Sequence, residues 1–587
     1  MFLITTADQR FWKKDEPVIF LGEWCKLYSQ KDLWQNMDYE VVPYHWDDRK
    51  KLFADYQYLQ RLYERILVDL TRSLNTIHGE DHSLRYWRII VGPWLFYFIE
   101  ILFDRYTCIQ RAAQLGKVTN TIIGGYSKDA WIPLDHDNFC RWMVGDEYNF
   151  FLYSWTIQHT GSLPYTVQPV DLNLASQRDA VLPKQKDMGF VRKLFQIYEK
   201  CLPYRFNKYV LVSTYLRSLD QWRLQLSLGQ WPSVFFPQIK PIDCKADIDQ
   251  RSKILLFAKN GHFEELLSGI IGMQIPMAYL EGYAQMKKKA LSAYPPRPKV
   301  ILTGNAHYSK EGFKFWAADK IEQGAKLLDV QYGGLYGTAL FRALEEHEIR
   351  VSDVYYTWGW TSNGANNIKP LSAGKFNHLK MGIIPDPRGK ILLTLGLMPR
   401  YSYDLYSSFL ASTGTLAYLK DQFSFVKGLN EFARKDILVR LYPADFGWSQ
   451  KERFQELFPE IAFDNCQKSM SEVMMSSRLF VATYNATTYF ESFVANFPTI
   501  IFWNPDHSEI RPSAQEYFDG LRQVGILYDT PESAARKVNE IFSDPMAWWR
   551  QDYVQREKNK FCERFVKVSD NWLKDWRKAL LEAKSYQ

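Results

Sequence analysis

Through the last third of the chain, short apolar runs rich in β-branched residues alternate with stretches whose apolar residues recur every three to four positions. The runs 391–397, 437–442, 479–484, 499–503 and 525–528 predict strands, and 403–432, 449–457, 469–476, 487–496 and 531–542 predict helices. Thr530 and Pro531 open the last of these as N-cap and first helical residue. Strands apolar on both faces and joined by helices predict a parallel sheet covered on both sides.

A second α/β pattern lies upstream. It has strands at 300–303, 326–331 and 354–357, a helix at 312–322 and a Gly333-Gly334 turn, and the N-terminus adds strands at 2–5, 18–21 and 41–44. From about 48 to 298 the pattern is mainly helical, with amphipathic stretches at 52–74, 190–198 and 263–291. The Gly-, Asn-, Ser- and Pro-rich segment 362–390 predicts a linker. The expected fold class is therefore α/β and GT-B-like, with two Rossmann-like domains facing a cleft. Residues 1–361 are expected to form the N-terminal domain with its helical insertion, and 391–545 the C-terminal domain. In 546–587, Phe561, Phe565, Val568, Trp572, Trp576 and Leu580 make an apolar stripe that predicts helical packing back onto the N-domain.

Composition narrows the class without changing it. The 587 residues are 46% hydrophobic and 24% charged, as in globular proteins, and the net charge of +7 is too small for a dedicated nucleic-acid binder. From Arg550 onward ten Lys/Arg face six Asp/Glu, so the tail holds much of the surplus. The seven cysteines include no C-x-x-C, which points to reduced thiols in a cytoplasmic protein. The apolar run 89–103 is interrupted by Glu100 and falls short of the ~20 residues of a membrane span, so it predicts a buried helix kinked or started at Pro93.

The main candidate site opens where a strand ends at Tyr484 and Asn485, Thr487 and Thr488 lead into a helix carrying Glu491. Backbone N–H groups and hydroxyls at such a start suit a phosphate, and Glu491 can accept from two sugar hydroxyls; a plain N-cap with a solvated carboxylate uses the same residues. Arg440 and Tyr442 end another strand and can face an anion, and Trp448 can stack on a base or sugar; ordinary loop punctuation accounts for the neighbouring Pro443 and Gly447. Gln331, Gly333 and Gly334 would bring bare backbone to a ligand, or make a tight strand–helix turn. His347 and Glu348 can contact sugar or form a surface pair.

The combination of FLGEWC (20–25), YHWDDR (44–49), RYWRIIVGPWL (85–95), QYGGLYG (331–337), HEIRVSDVYYTWGW (347–360), RLYPADFGW (440–448) and TYNATTYFESFVANFPTIIFW (483–503) resembles a family of bacterial transferases found with O-antigen and surface-carbohydrate genes. More distantly, the C-domain looks like capsule and lipopolysaccharide transferases that use CMP-activated 2-keto sugars such as Kdo and sialic acids. Those enzymes place a His-Pro where this chain has Tyr442-Pro443, and a Ser/Thr pair where it has Thr487-Thr488.

The resemblance implies a glycosyltransferase moving a sugar from a nucleotide-activated donor to a glycan or lipid-linked acceptor, with no cofactor beyond that substrate. Such transfer needs a carboxylate or His at the acceptor hydroxyl; Glu23 and Asp47 are the expected carboxylates, His45 the next candidate and Arg49 a substrate contact. Asp48 is expected to cap the following helix, a role Asp47 can also fill. Asp135-His136-Asp137 and Asp247-Ile248-Asp249 spell D-x-D but follow no convincing strand, so no metal is expected. Transfer of a phosphorylated polyol from a CDP donor, and non-catalytic glycan binding, are the alternatives. Weak peripheral contact with the inner face of the cytoplasmic membrane is expected from the basic tail.

Overall fold

A computed structural model describes residues 1–170, 198, 203, 206–235, 237, 239–256, 260–362, 364–409 and 412–583. The helix expected over 190–198 falls almost wholly outside them. Among the described residues sixteen strands make three sheets, and every pairing within them is parallel. The first is ordered β3-β2-β1-β4-β5, from β1 (Phe2–Ile4), β2 (Val18–Phe20), β3 (Tyr39–Val41), β4 (Asn120–Gly125) and β5 (Thr166–Pro169). The second runs β10-β9-β8-β7-β6, from β6 (Tyr209–Val212), β7 (Val300–Thr303), β8 (Lys326–Val330), β9 (Val354–Thr357) and β10 (Ile368–Pro370). The third is β13-β12-β11-β14-β15-β16, from β11 (Lys390–Thr394), β12 (Ile437–Arg440), β13 (Ala462–Phe463), β14 (Ser477–Ala482), β15 (Thr499–Phe502) and β16 (Leu527–Tyr528).

The first and third sheets are wound in Rossmann order and reverse direction between β1 and β4 and between β11 and β14. The parallel α/β, GT-B-like class holds, but residues 1–370 make two five-stranded sheets where one N-terminal Rossmann-like domain was expected. The segment 48–298 differs from its helical reading, because it also supplies β4, β5 and β6. Those strands hide from periodicity for physical reasons: β4 ends in two glycines, β5 is a mostly exposed edge ending in proline, and β6 is only four residues long. Within 362–390, β10 pairs with β9 and closes that edge of the second sheet.

Two long helices fill the space between the first two sheets. Asp48 caps α1 (Arg49–His78) by accepting from the amides of Lys50 (3.0 Å) and Lys51 (3.1 Å), and Gly79 ends it at φ +65°. Ser83 caps α2 (Leu84–Gln114), which continues through Pro93. Beside that proline the Lys314 ammonium donates to the Ile90 carbonyl at 3.2 Å. By length and composition α2 could cross a membrane, but 94% of its apolar window is buried inside the molecule. It packs against α1, against α3 (Asp146–Thr160) and against α4 (Ala343–Val351) beneath the second sheet.

In the third unit, α5 (Thr413–Gly428) follows β11 and α6 (Thr487–Val494) follows β14. The tail folds as two helices. Phe561 of α7 (Asp552–Phe565) packs on Phe490, Phe493 and Phe518, while Trp576 and Leu580 of α8 (Trp572–Ala583) join the core on the far face of the second sheet. The tail thus crosses from the third sheet back to the second.

Glu100, Asp104 and Arg105 interrupt the apolar middle of α2 with buried polar groups. Asp104 accepts from the Tyr44 hydroxyl (2.8 Å) and pairs with His45 Nε2 (2.9 Å) and with Arg105. Arg105 donates onward to Asn149 of α3 (2.8 Å) and to the Ser402 carbonyl (2.9 Å), and Glu100 accepts from the Leu405 amide (3.0 Å). Removing one partner of a buried pair costs about 3–5 kcal/mol, against about 0–1 kcal/mol for an exposed one. Asp104→Leu should therefore lower the first thermal unfolding transition by several degrees, whereas Lys117→Met, which opens the exposed pair with Glu40, should leave it in place. Equal transitions for the two variants would remove the Asp104–Arg105 pair from this role.

Candidate active site at the third sheet's reversal point

Ligands in open α/β sheets bind beyond the carboxyl ends of the strands where the winding reverses, which here means beyond β11 and β14. Helices α5 and α6 begin there, each without a side-chain cap. Around them stand Tyr403, Tyr406, Tyr442 and Tyr484, of which Tyr442 is the exposed one, and the Thr488 hydroxyl faces the Tyr484 phenol.

On the α5 side the first sheet supplies the rim. The Glu23 amide donates to Ser412 Oγ at 3.3 Å, and Asp47 reaches the Thr413 hydroxyl. Asp47 is exposed, yet crowding raises its carboxyl above the usual range, opposed by the Thr413 hydroxyl, His45 and Arg49. Glu23 is ion-paired with Lys26 at 3.1 Å. The Asp47 side chain and the Glu23 backbone thus meet at one helix start, while the Glu23 carboxylate turns to Lys26.

On the α6 side the rim comes from the second sheet. The Gly334 amide donates to Thr487 Oγ1 at 3.0 Å, and a Cβ on Gly334 would sit 2.8 Å from the Ala486 carbonyl and 2.9 Å from the Thr487 nitrogen. Only glycine permits that approach. Asn485 bridges the same seam, donating to Thr338 Oγ1 (3.2 Å) and accepting from the Tyr489 hydroxyl (2.8 Å). Burial raises the Glu491 carboxyl, with Lys375 as the largest opposing charge.

Several expected site residues lie elsewhere. His45 is fully buried and held on Asp104, so it supports α2 and does not meet substrate. Gln331 is buried with its amide spent on the Trp358 amide (2.9 Å), the Trp360 indole (2.8 Å) and the Gly333 carbonyl (2.8 Å), which makes it the brace of the glycine turn. His347 packs beside Gly92 and His307 in the core, where burial keeps it neutral. Glu348 accepts from the Tyr336 (2.9 Å) and Tyr355 (3.2 Å) hydroxyls. Trp448 is buried and donates to the Met398 carbonyl at 2.9 Å, so it cannot stack on a ligand. Arg49 is locked to Glu509 through two bonds of 2.7 and 2.9 Å, and Arg440 to Asp464 (3.0 Å) and the Lys468 carbonyl (2.8 Å).

Both D-x-D segments prove to be helix caps, with Asp135 accepting from the Asn138 amide (2.8 Å) and Asp247 from the Gln250 amide (2.9 Å). His45, Asp104 and Cys108 come close enough to hold an ion. However, Tyr44, His45 and Arg105 already surround that carboxylate, the guanidinium repels a cation, and burial keeps the Cys108 thiol protonated.

Sequence reading passed over Lys375, because it lies in the segment taken as a linker, and Asp404, because it lies in 403–432, read there as helix, whereas the helix begins only at Thr413 and Asp404 sits in the loop after β11. Asp404 and Glu100 form a buried carboxyl pair between α2 and that loop: burial and mutual repulsion hold Glu100 well above the usual range, and burial raises Asp404 to about 6 against the pull of Arg342.

A family model described as LIC12162 family transferase matches residues 1–580. No curated protein matches the chain. Among solved structures, a UDP-GlcNAc 2-epimerase from Neisseria meningitidis bound to UDP-GlcNAc aligns at 10% identity over 64% of this chain and 99% of its own, with a TM-score of 0.34. MurG from Acinetobacter baumannii aligns at 12% identity over 64% and 99%, with a TM-score of 0.31. WaaG, a glycosyltransferase involved in lipopolysaccharide biosynthesis, aligns at 11% identity over 63% and 99%, with a TM-score of 0.27.

The Glu100–Asp404 pair makes stability depend on pH. Unfolded carboxyls titrate near ~4, so between ~4 and about 6 the folded chain binds more protons than the unfolded one, and stability falls as pH rises through that window. Asp404→Asn should flatten this fall, so that its thermal transition gains on the wild type at pH 8 relative to pH 4. A variant whose transition tracks the wild type at both pH values would show that the pair carries no such proton.

Proposed function

Since the chain belongs to the LIC12162 family of transferases, we propose that it is a glycosyltransferase, moving a sugar from a nucleotide-activated donor onto a surface-polysaccharide, glycan or lipid-linked acceptor. The observation that carries this reading is the crevice at the β11/β14 reversal, with an uncapped helix start and Glu491 on one side and the Asp47 carboxylate, beside the Glu23 backbone, on the other. Free N–H groups at the start of α6, with the Thr488 hydroxyl, suit the donor phosphate, and Glu491 one turn further in suits the ribose hydroxyls. Tyr442, exposed at the same mouth, is placed to stack on base or sugar.

The chemistry then needs a base for the acceptor hydroxyl. Asp47 suits that role better than Glu23, since Glu23 is paired with Lys26 while the Asp47 carboxyl is exposed, raised and held by a single hydroxyl. A CMP-activated 2-keto sugar is the donor favoured by the likeness of Thr487-Thr488 to the Ser/Thr pair of such transferases. We also propose weak contact with the inner face of the membrane. The apolar stripe of the tail is docked, but Arg556, Lys560, Lys567, Lys574, Arg577 and Lys578 are exposed on its outer side.

Three measurements test these readings. One nucleotide among CMP, CDP, UDP and GDP should raise the thermal transition, and Thr488→Ala and Glu491→Ala should each weaken its binding by about 10-fold; unchanged affinity in both would move the nucleotide elsewhere. Asp47→Asn should lower turnover by about 100-fold or more with little change in donor binding, and normal turnover would remove it as the base. Binding to phosphatidylglycerol vesicles should appear at low salt and vanish at high salt, whereas no sedimentation at low salt would end the membrane proposal.

A further inference from the structure

Lys375 sits in the short helix Gly374–Leu379, between the second and third sheets. Its ammonium lies over the rings of Tyr215 (5.3 Å) and Phe376 (5.6 Å) and donates to the Tyr332 carbonyl at 3.3 Å. No carboxylate among the described residues stands within ion-pair distance of it. Partial burial lowers its pKa, and the charge opposing that effect is Glu491, itself half-buried and raised. Two half-buried opposite charges that sense each other yet form no ion pair each bear a desolvation cost that contact would offset.

What lies around them closes a ring. Lys375 holds the Tyr332 carbonyl; two residues on, the Gly334 amide holds Thr487 Oγ1; Thr488 follows, then Glu491 one turn into α6, which faces Lys375 again. The helix Gly374–Leu379 packs directly on α6. The seam thus combines an ammonium, an uncapped helix start, hydroxyls and a carboxylate. This set matches a nucleotide, whose phosphate takes the ammonium and the helix start and whose ribose hydroxyls take Glu491.

We propose that Lys375 is a catalytic residue that holds the donor's phosphate and neutralises the charge left on it at transfer. This rests on the glycosyltransferase reading above. As the acceptor oxygen bonds to the anomeric carbon, the bond from that carbon to the phosphate oxygen breaks. Its electron pair stays on the departing nucleotide, which gains a negative charge beside the ammonium, and the acceptor's proton passes to the carboxylate base. Lys375 supplies charge and a hydrogen bond without giving up a proton.

The test compares the nucleotide that stabilises the wild type with its matching nucleoside, both titrated calorimetrically into the full chain. A charge-assisted hydrogen bond is worth about 10- to 100-fold in affinity. Lys375→Gln should lose about that factor for the nucleotide and none for the nucleoside, and Lys375→Arg, which keeps the charge, should retain most of the difference. Equal nucleotide affinity in wild type and Lys375→Gln, or an equal loss for nucleoside and nucleotide, overturns the assignment of Lys375 while leaving the glycosyltransferase reading intact. If Lys375→Gln does not fold, Lys375→Arg decides alone: loss of the phosphate increment in a folded Arg variant overturns the proposal. A wild type that binds neither compound overturns both.

Discussion

The structure depends on how α2 carries Glu100, Asp104 and Arg105 through an apolar core. A helix buried along most of its length would normally be apolar all round. These three side chains instead reach outward to Tyr44 and His45 of the first sheet, to Asn149 of α3, and to Ser402 and Leu405 of the loop after β11. Each contact replaces water lost on burial, so these buried polar groups are tolerable only while the loops stay where they are. The helix thereby sets the position of the third unit's first loop relative to the first sheet.

That loop carries the constraint to the crevice. Arg400 binds the Trp24 carbonyl at 2.6 Å and pairs with Asp146, Tyr401 donates to the same carboxylate at 2.5 Å, and the backbones at Arg342 and Tyr406 form an isolated bridge to the second sheet's side. One stretch of chain is thus tied to all three sheets just before α5 begins. Glu23 and Asp47 reach the start of α5 because this strap holds β11 and its loop against the ends of β2 and β3. On the opposite seam the fit is closer still, backbone against backbone at Gly334 and Ala486, which no side chain larger than hydrogen permits.

How much of this was legible depended on where the partners come from. The strands of the third sheet were readable because a parallel strand covered on both faces must be apolar throughout, and Val481, Ile500 and Ile501 satisfy that locally. The Asp48 cap and the Thr530-Pro531 start were readable because a cap acts within its own turn. The second sheet was only half readable: β6 lies nearly ninety residues before its partner β7, and nothing near either one announces the pairing. Lys375 gave no signal, since its significance comes from Glu491 and Tyr332, both distant in sequence.

The polar residues that sequence reading placed in the site divide by a criterion only the folded chain supplies, which is hydrogen-bonding capacity left unspent. Gln331 has both lone pairs and one amide proton engaged by neighbours within thirty residues, and Glu348 accepts from two tyrosines of its own unit. Trp448 has spent its single donor. Such groups are buried because they are satisfied, and a ligand would have to break native bonds to use them. Asp47, Glu491 and Lys375 stand at the β11/β14 reversal with charge or hydrogen-bonding capacity that the protein leaves largely unmet. A ligand that meets this capacity gains its interaction without a competing loss, and that difference is the physical ground for proposing the crevice as the site.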